Sequence, residues 1–81
     1  MRSMEEKIKN KMEEVKKMLK AELMELRKIL KILREFIRDK EYYAAYYASI
    51  DLKKNIETIR ENLFLLGELS ILLIEKYENR D

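Results

Sequence analysis

Across 81 residues there is no proline and only one glycine, so almost nothing in the chain can stop a helix once it has begun. What such a chain folds into is therefore decided by the period of its apolar residues. In the first half they recur at Ile8, Met12, Val15, Leu19, Leu23, Leu26, Leu30, Leu33 and Ile37, in steps of three and four. That is the period of a helix with one buried face. A second row, Met18, Ile29, Ile32 and Phe36, widens the face beyond a coiled-coil seam, as for a helix that touches more than one neighbour. The spacing predicts a first helix over about residues 5–38, roughly 50 Å long at 1.5 Å per residue. In the second half Leu52, Ile56, Ile59, Leu63, Leu66, Ser70, Leu73 and Tyr77 alternate steps of four and three. This reads as a heptad seam with Ser70 as a polar member, on a second helix over about residues 41–78.

A turn between them is expected at about residues 38–41. Arg34, Arg38 and Lys40 suit a helix C-terminus, and Asp39 is placed to N-cap the next helix with Glu41 in its first turn. The apolar arc also shifts by about 80° between the halves at 100° per residue, so one straight helix cannot keep a single buried face. The other candidate break, Ser49-Ile50-Asp51, would leave residues 41–48 as a short middle helix. The expected fold is all-α: one domain over residues 1–81, a long antiparallel two-helix hairpin.

A chain this short buries only about two-thirds of its unfolded surface, and two helices can cover only one side of each other. The expectation is a homodimer of hairpins forming an antiparallel four-helix bundle, with a tetramer as the alternative. From Leu63 to Ile74 apolar residues lie nearly all round the helix, which marks Leu63, Phe64, Leu66, Gly67, Ile71, Leu72 and Ile74 as an oligomer interface. There Gly67 would let another helix approach closely. The plainer alternative is a thick core at one end of a monomer, with Gly67 a tolerated surface residue.

Composition removes most chemistry. Without cysteine there is no disulfide, thiolate nucleophile or zinc knuckle, and without histidine the commonest general base and metal ligand is missing. The helical di-metal pattern needs Glu-x-x-His pairs, and a serine without histidine gives no nucleophile signal. No catalytic residue, metal, cofactor or small-molecule substrate is expected. The first residues, Met1-Arg2-Ser3-Met4-Glu5-Glu6, lack the apolar segment of a signal peptide. The greasiest stretch, Leu63–Ile74, is interrupted by Glu68 and is shorter than the ~20 residues a membrane span needs. A soluble cytoplasmic protein, without a membrane partner, is the expectation.

The net charge of +2 conceals an asymmetry. Residues 1–40 carry 13 Lys/Arg and 8 Asp/Glu, whereas residues 41–81 carry 5 and 8. Lys9, Lys16, Lys20, Arg27, Lys31, Arg34 and Arg38 fall within an arc of about 60° along the first helix, with only Glu13 intruding. Like charges at i, i+4 cost a few tenths of a kcal/mol per pair, so a face shaped by stability alone would alternate signs. One reading is a phosphate track for DNA or RNA, or a site for an acidic protein. The others are a solvated face, or long cationic side chains reaching over the seam towards the acidic second helix. Beside it, Tyr42, Tyr43, Tyr46 and Tyr47 flank Ala44, Ala45 and Ala48. The rings could stack on bases, or the alanines could serve close helix packing while the tyrosines cover the sides. Glu57, Glu61, Glu68 and Glu75 form a solvated acidic row too widely spaced to converge on a metal. Glu22 lies inside the first helix's apolar arc, and Asn62 and Ser70 are comparable polar positions; a register-fixing or seam-edge role suits Glu22 better than that of a general acid.

Two resemblances are local. Asp51, Lys54 and Asn55 resemble the D-x-x-R-E stretch of all-α chorismate mutases, with lysine for the arginine, asparagine for the glutamate and no glutamine anywhere in the chain. This implies, as a remote alternative, a helical-bundle enzyme binding an anionic substrate. Glu41-Tyr42-Tyr43-Ala44-Ala45-Tyr46-Tyr47 is similar to the Y-Y-A-A helices of HEPN-type RNA-cleaving bundles, whose R-x(4–6)-H motif a chain without histidine cannot contain. The Lys/Glu/Ile/Leu richness resembles proteins of hyperthermophiles and fits a small archaeal or viral protein or a designed bundle. The leading expectation is a non-enzymatic oligomerisation and protein-interaction module, with nucleic-acid binding through the basic stripe second.

Overall fold

The computed structural model describes residues 3–78, and side chains as far as residue 76. Within them the chain is a two-helix antiparallel hairpin: α1, Met4–Arg38, and α2, Tyr42–Leu73, which runs on into a π-helical turn over Ile74–Glu78. The expected seam member Tyr77 lies outside the residues whose side chains are described.

α1 starts at a serine N-cap. Ser3, in an extended conformation, accepts through its hydroxyl from the Glu6 backbone N–H at 3.1 Å, and Glu5 and Glu6 sit at the positive end of the helix dipole. The helix ends in a Schellman motif. The Glu41 N–H donates to the Phe36 carbonyl at 2.8 Å and the Lys40 N–H to that of Ile37 at 3.1 Å, with Lys40 left-handed at φ 61°. This corrects the expected roles of Asp39 and Glu41. Asp39 is the C-cap of α1, because closing α1 consumes residues 39–41, and Glu41 becomes the N-cap of α2 without a side-chain cap bond. α2 thus begins with no capping help and leans on α1 for its stability.

The two helices meet along regular heptad rows. On α1 the inward positions are Ile8, Met12, Val15, Leu19, Glu22, Leu26, Ile29, Leu33 and Phe36, all buried or half-buried. On α2 they are Ala45, Ala48, Leu52, Asn55, Ile59, Asn62, Leu66, Leu69 and Leu73. Both rows differ from the expected faces: on α1, Glu22, Ile29 and Phe36 stand in the inward row while Leu23 and Ile37, expected inward, are exposed, and α2 differs likewise. On α2, Leu52, Ile59, Leu66 and Leu73 are inward as expected, but Asn55, Asn62 and Leu69 turn inward where Ile56, Leu63 and Ser70 were expected. Asn62 is 8% exposed, whereas Leu63 is 52% exposed. The cause is Glu22. Its Oε1 accepts from Asn62 Nδ2 at 2.6 Å, and its backbone carbonyl accepts from Asn55 Nδ2 at 3.1 Å, so α2 rotates to bring both amides to it.

The molecule is a rod of 61 × 20 × 14 Å. Its radius of gyration is 18.2 Å, against about 12 Å for a compact domain of this length.

Candidate functional site

The hairpin covers little of its own apolar surface. Ile8, Val15, Ile29, Ala45 and Leu73 are the buried hydrophobic residues, while eighteen large ones are exposed, among the described residues. In steric terms the unfinished packing is the main feature of the surface. The expected interface residues do not form one patch. Leu63, Phe64, Gly67, Ile71 and Ile74 are exposed on the outer half of α2, and an added Cβ on Gly67 would meet nothing within 4 Å. Leu66 belongs to an inward row and is half-buried against α1, and Leu72 lies on the opposite flank. Shallow grooves follow the outer side of α2, one between Ser49, Ile56 and Arg60, the next between Arg60, Leu63 and Phe64.

All seven members of the basic stripe are exposed. Lys9 pairs with Glu5 at 3.3 Å, Lys16 with Glu13 at 3.2 Å, and the Arg38 Nε lies 3.5 Å from Asp39. Lys20, Arg27, Lys31 and Arg34 have no carboxylate within 4.0 Å among the described residues. No ion pair there joins α1 to α2: every pair is local in sequence. The charge difference between the two halves is therefore not used inside the hairpin, which removes the reading of lysines bridging to the acidic second helix.

The tyrosine cluster divides by face. Ala45 is buried and Ala44 and Ala48 are half-buried against α1, while Tyr42, Tyr43, Tyr46 and Tyr47 are exposed on the outer half of α2. The rings in contact are the neighbours Tyr46 and Tyr47, edge to face with centroids 5.4 Å apart. Tyr42, Tyr43 and Tyr46 line a shallow depression near the turn, not a flat stacking platform.

Glu22 is the polar residue with the most unusual surroundings. Its second oxygen, Oε2, is buried without a hydrogen-bond partner, and so is Asn55 Oδ1. The sequence marks Glu22 and Asn62 as polar positions of the apolar faces but not Asn55, because Ile56 beside it fits the heptad spacing. The described residues contain no grouping of three acidic side chains able to hold a metal ion, and no helix long and apolar enough to cross a membrane. No known protein family matches the chain, and no curated protein or solved structure matches it.

Proposed function

We propose that this chain is a cytoplasmic, non-enzymatic, self-associating helical module, in which hairpins pair with copies of themselves to complete a four-helix core. The observation that carries this reading is the exposure of eighteen large hydrophobic residues on a hairpin that buries five. Isolated exposed apolar side chains are ordinary, but eighteen of them on a rod this thin are not. Light scattering on the purified chain tests the idea: the mass should exceed the 9.9 kDa of one chain at micromolar concentration and fall towards it on dilution. A mass of one chain at every concentration would refute it.

A second reading rests on Lys20, Arg27, Lys31 and Arg34, which lack carboxylate partners and follow one another along α1. They could track phosphates of DNA or RNA. The same scattering experiment with a short DNA duplex separates the two. Duplex uptake that weakens with salt, with a log–log slope of about −0.9 per phosphate contacted, would favour this second reading. Indifference to duplex would retire it.

A further inference from the structure

In an antiparallel helix pair, the residues one step after a given inward row lie on the same broad side on both helices, and those one step before the other inward row lie on the opposite side. This hairpin therefore has two sides, and both carry exposed apolar residues. On the first are Leu23 and Ile37 of α1, and Ile56 and Leu63 of α2, which lie at about the level of Leu23. On the second are Met18 and Ile32 of α1, and Leu65 and Leu72 of α2, with Leu65 at about the level of Met18.

Their borders have opposite charge. Counting the flanking rows on both helices over residues 4–76, the first side has seven lysines and arginines against two glutamates. Lys16, Lys20, Arg27 and Arg34 edge it on α1, and Lys53 and Arg60 on α2, all exposed. The second side has seven carboxylates against four lysines. Glu25 and Glu35 edge it on α1, and Asp51, Glu61, Glu68 and Glu75 on α2, again all exposed. A symmetric dimer that buries either side against itself would bring like charges together around the contact. Contact between unlike sides brings the basic border of one copy over the acidic border of the next.

We infer that the partner of each side is the other side of a second copy, so that hairpins associate head to tail and each copy has two neighbours. The inference rests on the self-association reading above. Surface area agrees with two neighbours. The chain exposes 6871 Å², whereas a compact folded chain of this mass exposes about 5,200 Å². The surplus of about 1,700 Å² is room enough for two contacts of standard size, each covering about 800 Å² of one partner, and equally for one larger contact, so the charged borders decide between them. The apolar rows supply the affinity, while the charged borders select orientation, since individual exposed ion pairs contribute little. Such a contact leaves a free side at each end, so the assembly continues until it closes into a ring, or grows as an open stack.

The test uses one variant blocked on each side: Ile56→Lys with Leu63→Lys, and Met18→Glu with Leu65→Glu. All four positions are exposed, so both variants should keep the helical circular dichroism of the parent. Each alone should have the light-scattering mass of a single chain, and an equimolar mixture should give a complex of two chains that grows no further. Association of either variant alone through its intact side would overturn the head-to-tail mode while leaving self-association standing. A mixture that stays monomeric while the parent associates would overturn it as well. A parent that is monomeric throughout would refute self-association itself. Should a blocked variant unfold, Arg27→Glu with Arg34→Glu and Glu61→Lys with Glu68→Lys provide the same comparison with no change to the apolar rows. Each pair should associate more weakly alone than the parent and recover on mixing, and failure to recover would count against the proposal.

Discussion

Lys40 shows how a single residue absorbs the strain of reversing this chain. The Schellman closure of α1 requires a left-handed residue between the C-cap Asp39 and Glu41, and glycine is the usual occupant because it has no Cβ to clash. Here that residue is a lysine at φ 61°. A side chain there costs of order 1 kcal/mol, so Lys40→Gly should raise the stability of the hairpin by about 1 kcal/mol. Chemical denaturation of the two proteins at equal concentration checks it; an unchanged or lower midpoint would mean that the lysine side chain makes a compensating contact. The same position explains why the cap was misread from sequence. With no glycine to mark the turn, Asp39 resembled an N-cap, although its backbone is needed to end α1. By contrast, Ser3-Met4-Glu5-Glu6 carries a capping-box pattern that could have been read directly from the order of residues.

At the level of the helices, existence and extent were legible while register was not. Period, length and the absence of breakers suffice to give two long helices, because those signals are local. Which side of α2 faces α1 depends on a residue 40 positions away in sequence, Glu22, and on what it needs. Judged by apolar content, Ile56 and Leu63 are better seam members than Asn55 and Asn62. Turning the asparagines inward nevertheless gives the Glu22 carboxylate and carbonyl their donors, and a buried acceptor without one costs about 1–3 kcal/mol. The satisfaction is incomplete, since Glu22 Oε2 and Asn55 Oδ1 are both buried acceptors without partners. Glu22→Gln removes the buried charge and supplies an amide donor where two acceptors now lack one, while keeping an oxygen for Asn62. The substitution should stabilise the hairpin by about 1 kcal/mol, measured by thermal or chemical unfolding. Destabilisation instead would show that the charged bond from Asn62 outweighs the unpaired oxygen. The apolar residues displaced outward by this register, Ile56 and Leu63 above all, are those that the first broad side offers to a neighbour. Polar pairing within the hairpin and apolar exposure on its outside are thus two results of one rotation.

For the whole molecule, the opposite charges of the two halves were legible in the sequence, but their use was not, because a count by halves does not say which faces they occupy. Folding distributes them between two broad sides and leaves both unpaired across the hairpin. Stability and assembly are then linked. On the proposed self-association, a hairpin with five buried hydrophobic residues would gain further burial from its neighbours, and any partner that binds only the folded form raises the apparent stability by mass action. The unfolding temperature should therefore climb as protein concentration rises, and the variants blocked on one side should melt lower than the parent, at a temperature independent of concentration. Added salt has a definite direction as well. It screens the attraction between basic and acidic borders at a Debye length of about 10 Å in 0.1 M salt, while leaving the apolar contact largely intact. The concentration dependence should persist at high salt with its onset displaced to higher protein concentration. Calorimetry over a hundredfold range of concentration, at low and high salt, measures both effects. A melting temperature fixed across that range would mean that the hairpin folds without its neighbours and that its exposed rows serve some other partner.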